Sequence, residues 1–174
     1  MRSLAAFAIL ASIASWGCSD KTPTSPDALK PTFTAALSPA NEVPPITNAE
    51  SSGRGDATIT LNVTKDGAGN ITSATANFVV NLTGFPAGTP FNIAHIHEGA
   101  NTCACPVVVN IGLTAAEGTV ASAAGSASIT KSNVTVAPEI AQRMISNPAG
   151  FYFNVHSTLN PGGVARGVLV KTQG

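Results

Sequence analysis

Ala94-His95-Ile96-His97-Glu98-Gly99 holds two of the three histidines of the chain, and Phe151-Tyr152-Phe153-Asn154-Val155-His156 holds the third. Both stretches read as β-strands. Side chains two apart on a strand point to the same face, so His95 and His97 are expected to stand side by side. Neutral imidazole is a common ligand of transition metals. If His156 joins the doublet, the three rings form a metal site for copper or zinc with its fourth position open. The same rings can equally form a hydrogen-bonded structural trio that ties two strands to a loop. The spacing alone leaves both readings standing.

Cys103-Ala104-Cys105 follows the doublet closely. In an oxidising compartment the pair Cys103 and Cys105 is expected to form a disulfide. An extended triplet holds its outer Cα atoms near the limit of roughly 7 Å for such a bridge, so a tight loop is required. As free thiolates the two would instead add soft ligands to the histidines and select Cu(I) or zinc. Glu98 falls on the face opposite both rings if the strand is regular, and reads as a solvated or turn-forming residue. Arg166 reads as half of a buried ion pair with Glu42, Asp56 or Glu98, because an unpaired buried charge is costly. Its other reading is an anion-attracting group near the histidines. No Ser/His/Asp arrangement, phosphate-cradling glycine loop or paired-carboxylate motif is visible, so no residue is assigned a catalytic role.

The elements that must position these residues are short apolar stretches separated by turn signals. Asp56 to Thr64 alternates cleanly, Lys65 to Asn70 is a hairpin turn, and Ile71 to Thr83 is a long second strand. Phe91 to His97 is the histidine strand, and Val107 to Ile111 is a short apolar one. Gly118 to Thr130 reads as a hairpin turning near Ala124-Gly125. Gly150 to His156 and Val164 to Lys171 are two strands joined by Asn160-Pro161-Gly162-Gly163. Only Pro138 to Ser146 has helical spacing, through Ile140, Met144 and Ile145, with Pro138 and Glu139 in the first turn. About eight strands of this kind predict an all-β Greek-key sandwich or barrel with one short helix over 138–146.

Charged residues make up 10% of the chain, with Lys+Arg 9 against Asp+Glu 9, where roughly 25% is usual. That balance offers no basic footprint for nucleic acid and no acidic disordered tail. Arg2 precedes an apolar run from Leu4 to Ala14 that is too short to span a bilayer. The run ends in Ser15-Trp16-Gly17-Cys18, which resembles a bacterial lipoprotein signal. On that resemblance Cys18 is acylated and anchors the protein to a membrane. The chain is thus expected to divide into a signal peptide at 1–17, a Pro-rich flexible tether at 18–31 and a folded domain at 32–174. Its place is extracytoplasmic, either lipid-anchored at a bacterial cell envelope or secreted.

Several pieces fall in one specific order. They are Leu37-Ser38-Pro39-Ala40-Asn41-Glu42-Val43-Pro44-Pro45, Gly55-Asp56-Ala57, Asn81-Leu82-Thr83-Gly84, Ala94-His95-Ile96-His97, Asn154-Val155-His156-Ser157 and Asn160-Pro161-Gly162-Gly163-Val164-Ala165-Arg166-Gly167. Together they resemble a CHRD domain, a family named for chordin, from about Phe33 to Lys171. The resemblance implies a β-sandwich of extracytoplasmic proteins acting as a non-enzymatic binding or structural module. In chordin the neighbouring domains carry growth-factor binding, so that role does not transfer, and the partner stays unidentified. His95-Ile96-His97-Glu98 is also similar to the copper-ligand strand of copper–zinc superoxide dismutases, with Val155-His156 and Arg166-Gly167-Val168-Leu169 resembling their last strands. This second likeness implies copper at His95, His97 and His156, and a copper-dependent oxidoreductase as the alternative function. The chain departs from that pattern in lacking a fourth histidine, a His-rich zinc loop and a charged steering loop.

Overall fold

Alternation of apolar and polar residues divides the described part of the chain into ten strands, which build two antiparallel sheets. The computed structural model describes residues 30–113 and 119–174, so the expected signal peptide at 1–17, Cys18 and nearly all of the tether lie outside the described residues. In chain order the elements are β1 (Thr32–Leu37), β2 (Arg54–Lys65), β3 (Ile71–Thr83), β4 (Pro90–Glu98), β5 (Val107–Asn110), β6 (Thr119–Val120), β7 (Ala127–Val136), α1 (Pro138–Ser146), β8 (Phe151–Ser157), β9 (Ala165–Val168) and β10 (Val170–Gln173). The first sheet runs β10-β1-β2-β3-β7, and the second runs β5-β4-β8-β9 with β6 also paired to β4. The all-β sandwich with one helix over 138–146 is the architecture that the alternation predicts.

The core lies between the sheets. Phe33, Ala35 and Leu37 on β1, Ile59 and Leu61 on β2, and Phe78, Val80 and Leu82 on β3 are buried, all at alternate positions. They meet Ala94, Ile96, Phe153 and Val155 of the second sheet, with the Phe78 and Phe153 rings 5.9 Å apart. Each such side chain contributes roughly 1.5–3 kcal/mol by leaving water. Helix α1 buries Ile140, Ala141 and Met144, which share one face at helical spacing, and packs against β3.

Two expectations need correction. The hairpin expected over Gly118 to Thr130 is not formed by its described residues, 119–130. The chain does turn at Ser122–Ser126, where the Ser122 N–H donates to Ser126 O. However, β6 pairs with Pro90 and Phe91 of β4 while β7 pairs with β3, so the turn carries the chain from one sheet to the other. Nor is 164–171 one strand. It splits at the buried Leu169, whose N–H donates to Phe151 O, leaving β9 in the second sheet and β10 in the first. Gly167 permits this crossing, because a Cβ there would overlap the Ala36 backbone of β1. The sheets are stitched at the same point by a Ser38–Arg166 backbone bridge.

Candidate metal centre

The inner face of β4 carries Ala94 and Ile96, so the outer face carries His95 and His97. A bulge sets this choice. The register of β4 against β8 shifts between Phe91 and Ile93, and an extra residue turns the following side chains over. Phe91 therefore enters the core, and Ile93, two residues on, is 40% exposed. Beyond the bulge His97 lies opposite Tyr152, His95 opposite Asn154 and Ile93 opposite His156, while Asn154 lies opposite Arg166 on β9. Opposed residues of an antiparallel ladder share a face. His95, His97, Tyr152, Asn154, His156 and Arg166 thus form one patch on the outer side of the second sheet.

That patch is covered. His95, His97 and His156 are 7, 8 and 7% exposed, and Tyr152 is fully buried. Two loops lie against it, the segment after β4 and the Asn160–Gly163 turn. His97 Nδ1 lies 2.5 Å from Cys105 O, and His156 Nδ1 lies 2.8 Å from Pro161 O. A carbonyl can only accept, so Nδ1 carries the proton of each ring and Nε2 of the neutral ring keeps its lone pair. Both of those Nε2 atoms, together with Nδ1 of His95, are buried with no hydrogen-bond partner. Buried polar atoms are almost always partnered, so three such atoms on adjoining rings mark a place where one ligand could be shared.

The three rings lie close together. His95 stands between the others, with centroids 4.4 Å from both His97 and His156 in edge-to-face contact. One ligating nitrogen from each of the three lies within 4.8 Å of the others. A metal ion with bonds of about 2.0–2.1 Å would hold three nitrogens about 3.3–3.6 Å apart, within the 4.8 Å that bounds the three here. Loss of hydration on burial, reinforced by the neighbouring His97 and His156, pushes the pKa of His95 down to about 3. Burial also lowers His97 and His156, against the pull of their carbonyl partners, and the Arg166 charge adds to the lowering. The rings are therefore neutral at pH 7, the state in which imidazole binds metal.

A second layer orients the first. The Tyr152 ring lies flat on His97, with centroids 4.5 Å apart and planes 8° from parallel. Its hydroxyl donates to Cys103 O at 2.9 Å and accepts from the Cys105 N–H at 3.2 Å. Cys103 and Cys105 are joined as a disulfide with Cα atoms 5.2 Å apart, closer than an extended triplet allows. Gly99 makes room for it. Its φ of +142° suits glycine, and a Cβ there would overlap Cys105 Sγ. On the far side of Tyr152 the Arg166 guanidinium sits 4.9 Å from the ring centroid and donates to Cys103 O at 2.9 Å.

Of the three carboxylates considered for Arg166, the structure selects Glu42. Nη2 and Nε of Arg166 lie 2.6 and 2.7 Å from Glu42 Oε2, and both side chains are buried. Arg166 is committed to this pair rather than open to an incoming anion. Glu98 turns to the surface and forms an ion pair with Arg143 of α1, which holds its carboxyl below the usual range. Asp56 accepts from Asn81 Nδ2.

Sequence reasoning passed over Tyr152, although it shares the alternation of Asn154 and His156 and is the single tyrosine of the chain. It also passed over Glu50, which is buried and accepts from Ser157 Oγ at 2.6 Å and Asn160 Nδ2 at 2.5 Å. Glu50 thereby fixes the turn whose Pro161 carbonyl orients His156. Nothing in the sequence marks Glu50 as different from a surface glutamate.

Set beside known proteins, the chain matches the family model of the CHRD domain over residues 33–169. That span runs from the second residue of β1 to the sheet crossing at Leu169, and includes all three histidines. No curated protein matches the chain.

Proposed function

We propose, from the premise that this chain belongs to the CHRD domain family, that it is a non-enzymatic metal-binding module working outside the cytoplasm. It holds one copper or zinc ion on His95 Nδ1, His97 Nε2 and His156 Nε2. The observation that carries this reading is a cluster of three rings, each with one buried nitrogen that has no partner and each offering a ligating nitrogen within 4.8 Å of the other two. Two of these nitrogens are left free because their rings donate Nδ1–H to backbone carbonyls, the second-layer arrangement usual for metal-bound histidine. Copper is expected to bind more tightly than zinc, following the general affinity order for nitrogen sites. The roofed setting favours retention over turnover, since little of any ring is open to an incoming substrate.

The test is metal binding by the full chain. One Cu(II) per chain is expected to survive dialysis, and His97→Ala is expected to weaken it by more than about 100-fold, since loss of even an outer-layer partner costs 10–100-fold. The copper-loaded protein is expected to consume superoxide no faster than its His97→Ala variant. Loss of the metal on dialysis, or equal affinity in the variant, would refute the site. Turnover that depends on His97 would instead favour an oxidoreductase.

The expected placement is by a lipid on Cys18, supported by the lipoprotein-like leader. Cys18→Ala is expected to abolish palmitate labelling in a bacterial host and to release the chain from the membrane fraction. Continued labelling would rule out Cys18 as the anchor.

A further inference from the structure

Building on the metal reading above, we propose that the Cys103–Cys105 disulfide is a redox switch for the histidine site, opened by a dithiol reductant and closed by reoxidation. The bridged segment is only three residues long, yet three of its backbone groups hold the second layer. Cys105 O accepts from His97 Nδ1. The Cys105 N–H donates to Tyr152 Oη. Cys103 O accepts from both Tyr152 Oη and Arg166 Nη1. The bridge holds the two Cα atoms 5.2 Å apart, whereas an unbridged triplet extends to about 7 Å. Opening the bridge removes the covalent restraint that keeps the segment this short, and we infer that the three groups then exchange between bonded and unbonded states.

The consequence falls on His97. Its Nδ1–H loses the acceptor that fixes both its tautomer and its orientation, and Tyr152, stacked on its face, loses both anchors of its hydroxyl. Removing such an outer-layer partner weakens metal binding by about 10–100-fold. The fold itself is little affected, because a bridge across so short a loop constrains the unfolded chain least. Access is favourable, since Cys103 and Cys105 are half-buried on the loop while the rings beneath are buried. The step balances as ordinary thiol–disulfide exchange. The Cys103–Cys105 S–S bond breaks, the two thiols of the reductant supply two electrons and two protons, the protein gains two thiols and the reductant gains its own disulfide.

Two measurements on the full chain test this. The first is metal-free. With nitrogen-15-labelled histidine, His97 in the oxidised protein is expected to show a single tautomer with the proton on Nδ1. Dithiothreitol is expected to convert it to an exchanging pair, and reoxidation to restore it. The second is zinc affinity by chelator competition, with Cys103→Ser/Cys105→Ser compared with the oxidised wild type so that no thiol can ligate the ion. The double variant is expected to bind zinc about 10–100-fold more weakly. An unchanged His97 tautomer after reduction overturns the switch, as does wild-type zinc affinity in the double variant. If the oxidised wild type retains no zinc, the metal reading fails, and the tautomer measurement still decides whether the bridge controls His97. Reduction and reoxidation of the wild type keeps the test valid should the double variant not fold.

Discussion

Arg166→Met is expected to destabilise the domain by about 3–5 kcal/mol, the usual result of removing one partner of a buried ion pair. Urea denaturation at pH 7 measures it. Arg166 Nη2 and Nε meet one oxygen of Glu42, at 2.6 and 2.7 Å, and the other oxygen, Oε1, is buried without a partner. With the guanidinium gone, nothing offsets the lost hydration of the carboxylate, and burial already raises the pKa of Glu42. In the variant Glu42 takes up a proton more readily still. A carboxyl whose folded pKa exceeds its unfolded value supports the fold at low pH and loses that support as pH rises through the folded pKa. The defect is therefore expected to be larger at pH 8 than at pH 5. Glu42→Met combined with Arg166→Met is expected to recover most of the loss, because an apolar pair replaces a buried ionic one at little cost. Arg143→Ala supplies the contrast. Its pair with Glu98 is surface-exposed, at 47 and 33%, and is expected to change stability by at most about 1 kcal/mol. Equal effects from Arg143→Ala and Arg166→Met would contradict this account of Arg166.

The difference between these two arginines marks how far the sequence could be read. Burial of Arg166 follows from its small apolar neighbours, and the need for a carboxylate follows from burial. Which carboxylate it meets depends on the loop after β1, where Asn41 Nδ2 donates to Arg166 O and brings Glu42 alongside. No local pattern encodes that approach. The histidines divide in the same way. Period-2 spacing gives the His95/His97 doublet directly, and the alternation of β8 gives the outward set Tyr152, Asn154 and His156. Their meeting depends on the β4–β8 register, which a single bulge near Phe91 sets. The second layer was the least legible part. Cys105 and Pro161 act through their carbonyls, and every residue has a carbonyl. The strand crossing at Leu169 was hidden for a related reason, since Val164 to Lys171 is apolar enough to read as one continuous strand and the missing Cβ of Gly167 allows the close approach to Ala36.

Without metal, the domain is expected to lose stability steeply as pH falls from about 6.5, the unfolded imidazole value, towards 3. In the unfolded chain all three histidines gain protons across that range. In the folded domain His95 stays neutral down to about 3, and burial holds His97 and His156 below their usual range. The unfolded state then binds more protons than the folded one, so stability rises with pH and is lost on acidification. Each imidazole kept neutral contributes a slope of about 1.4 kcal/mol per pH unit. The interval from pH 7 to 5 isolates the rings, because Asp66 and Glu98 have lowered pKa values and act only at lower pH. Glu42, raised by burial, has the opposite sign and can only flatten the slope. Urea midpoints at pH 7 and 5 measure the effect, and His95→Phe is expected to reduce it by removing the most strongly shifted ring. A bound metal steepens the dependence, since it stabilises only the folded state and competes with protons for the same nitrogens. A flat profile between pH 7 and 5 in the metal-free protein would mean that the rings accept protons in place, contrary to the burial that leaves their nitrogens without partners.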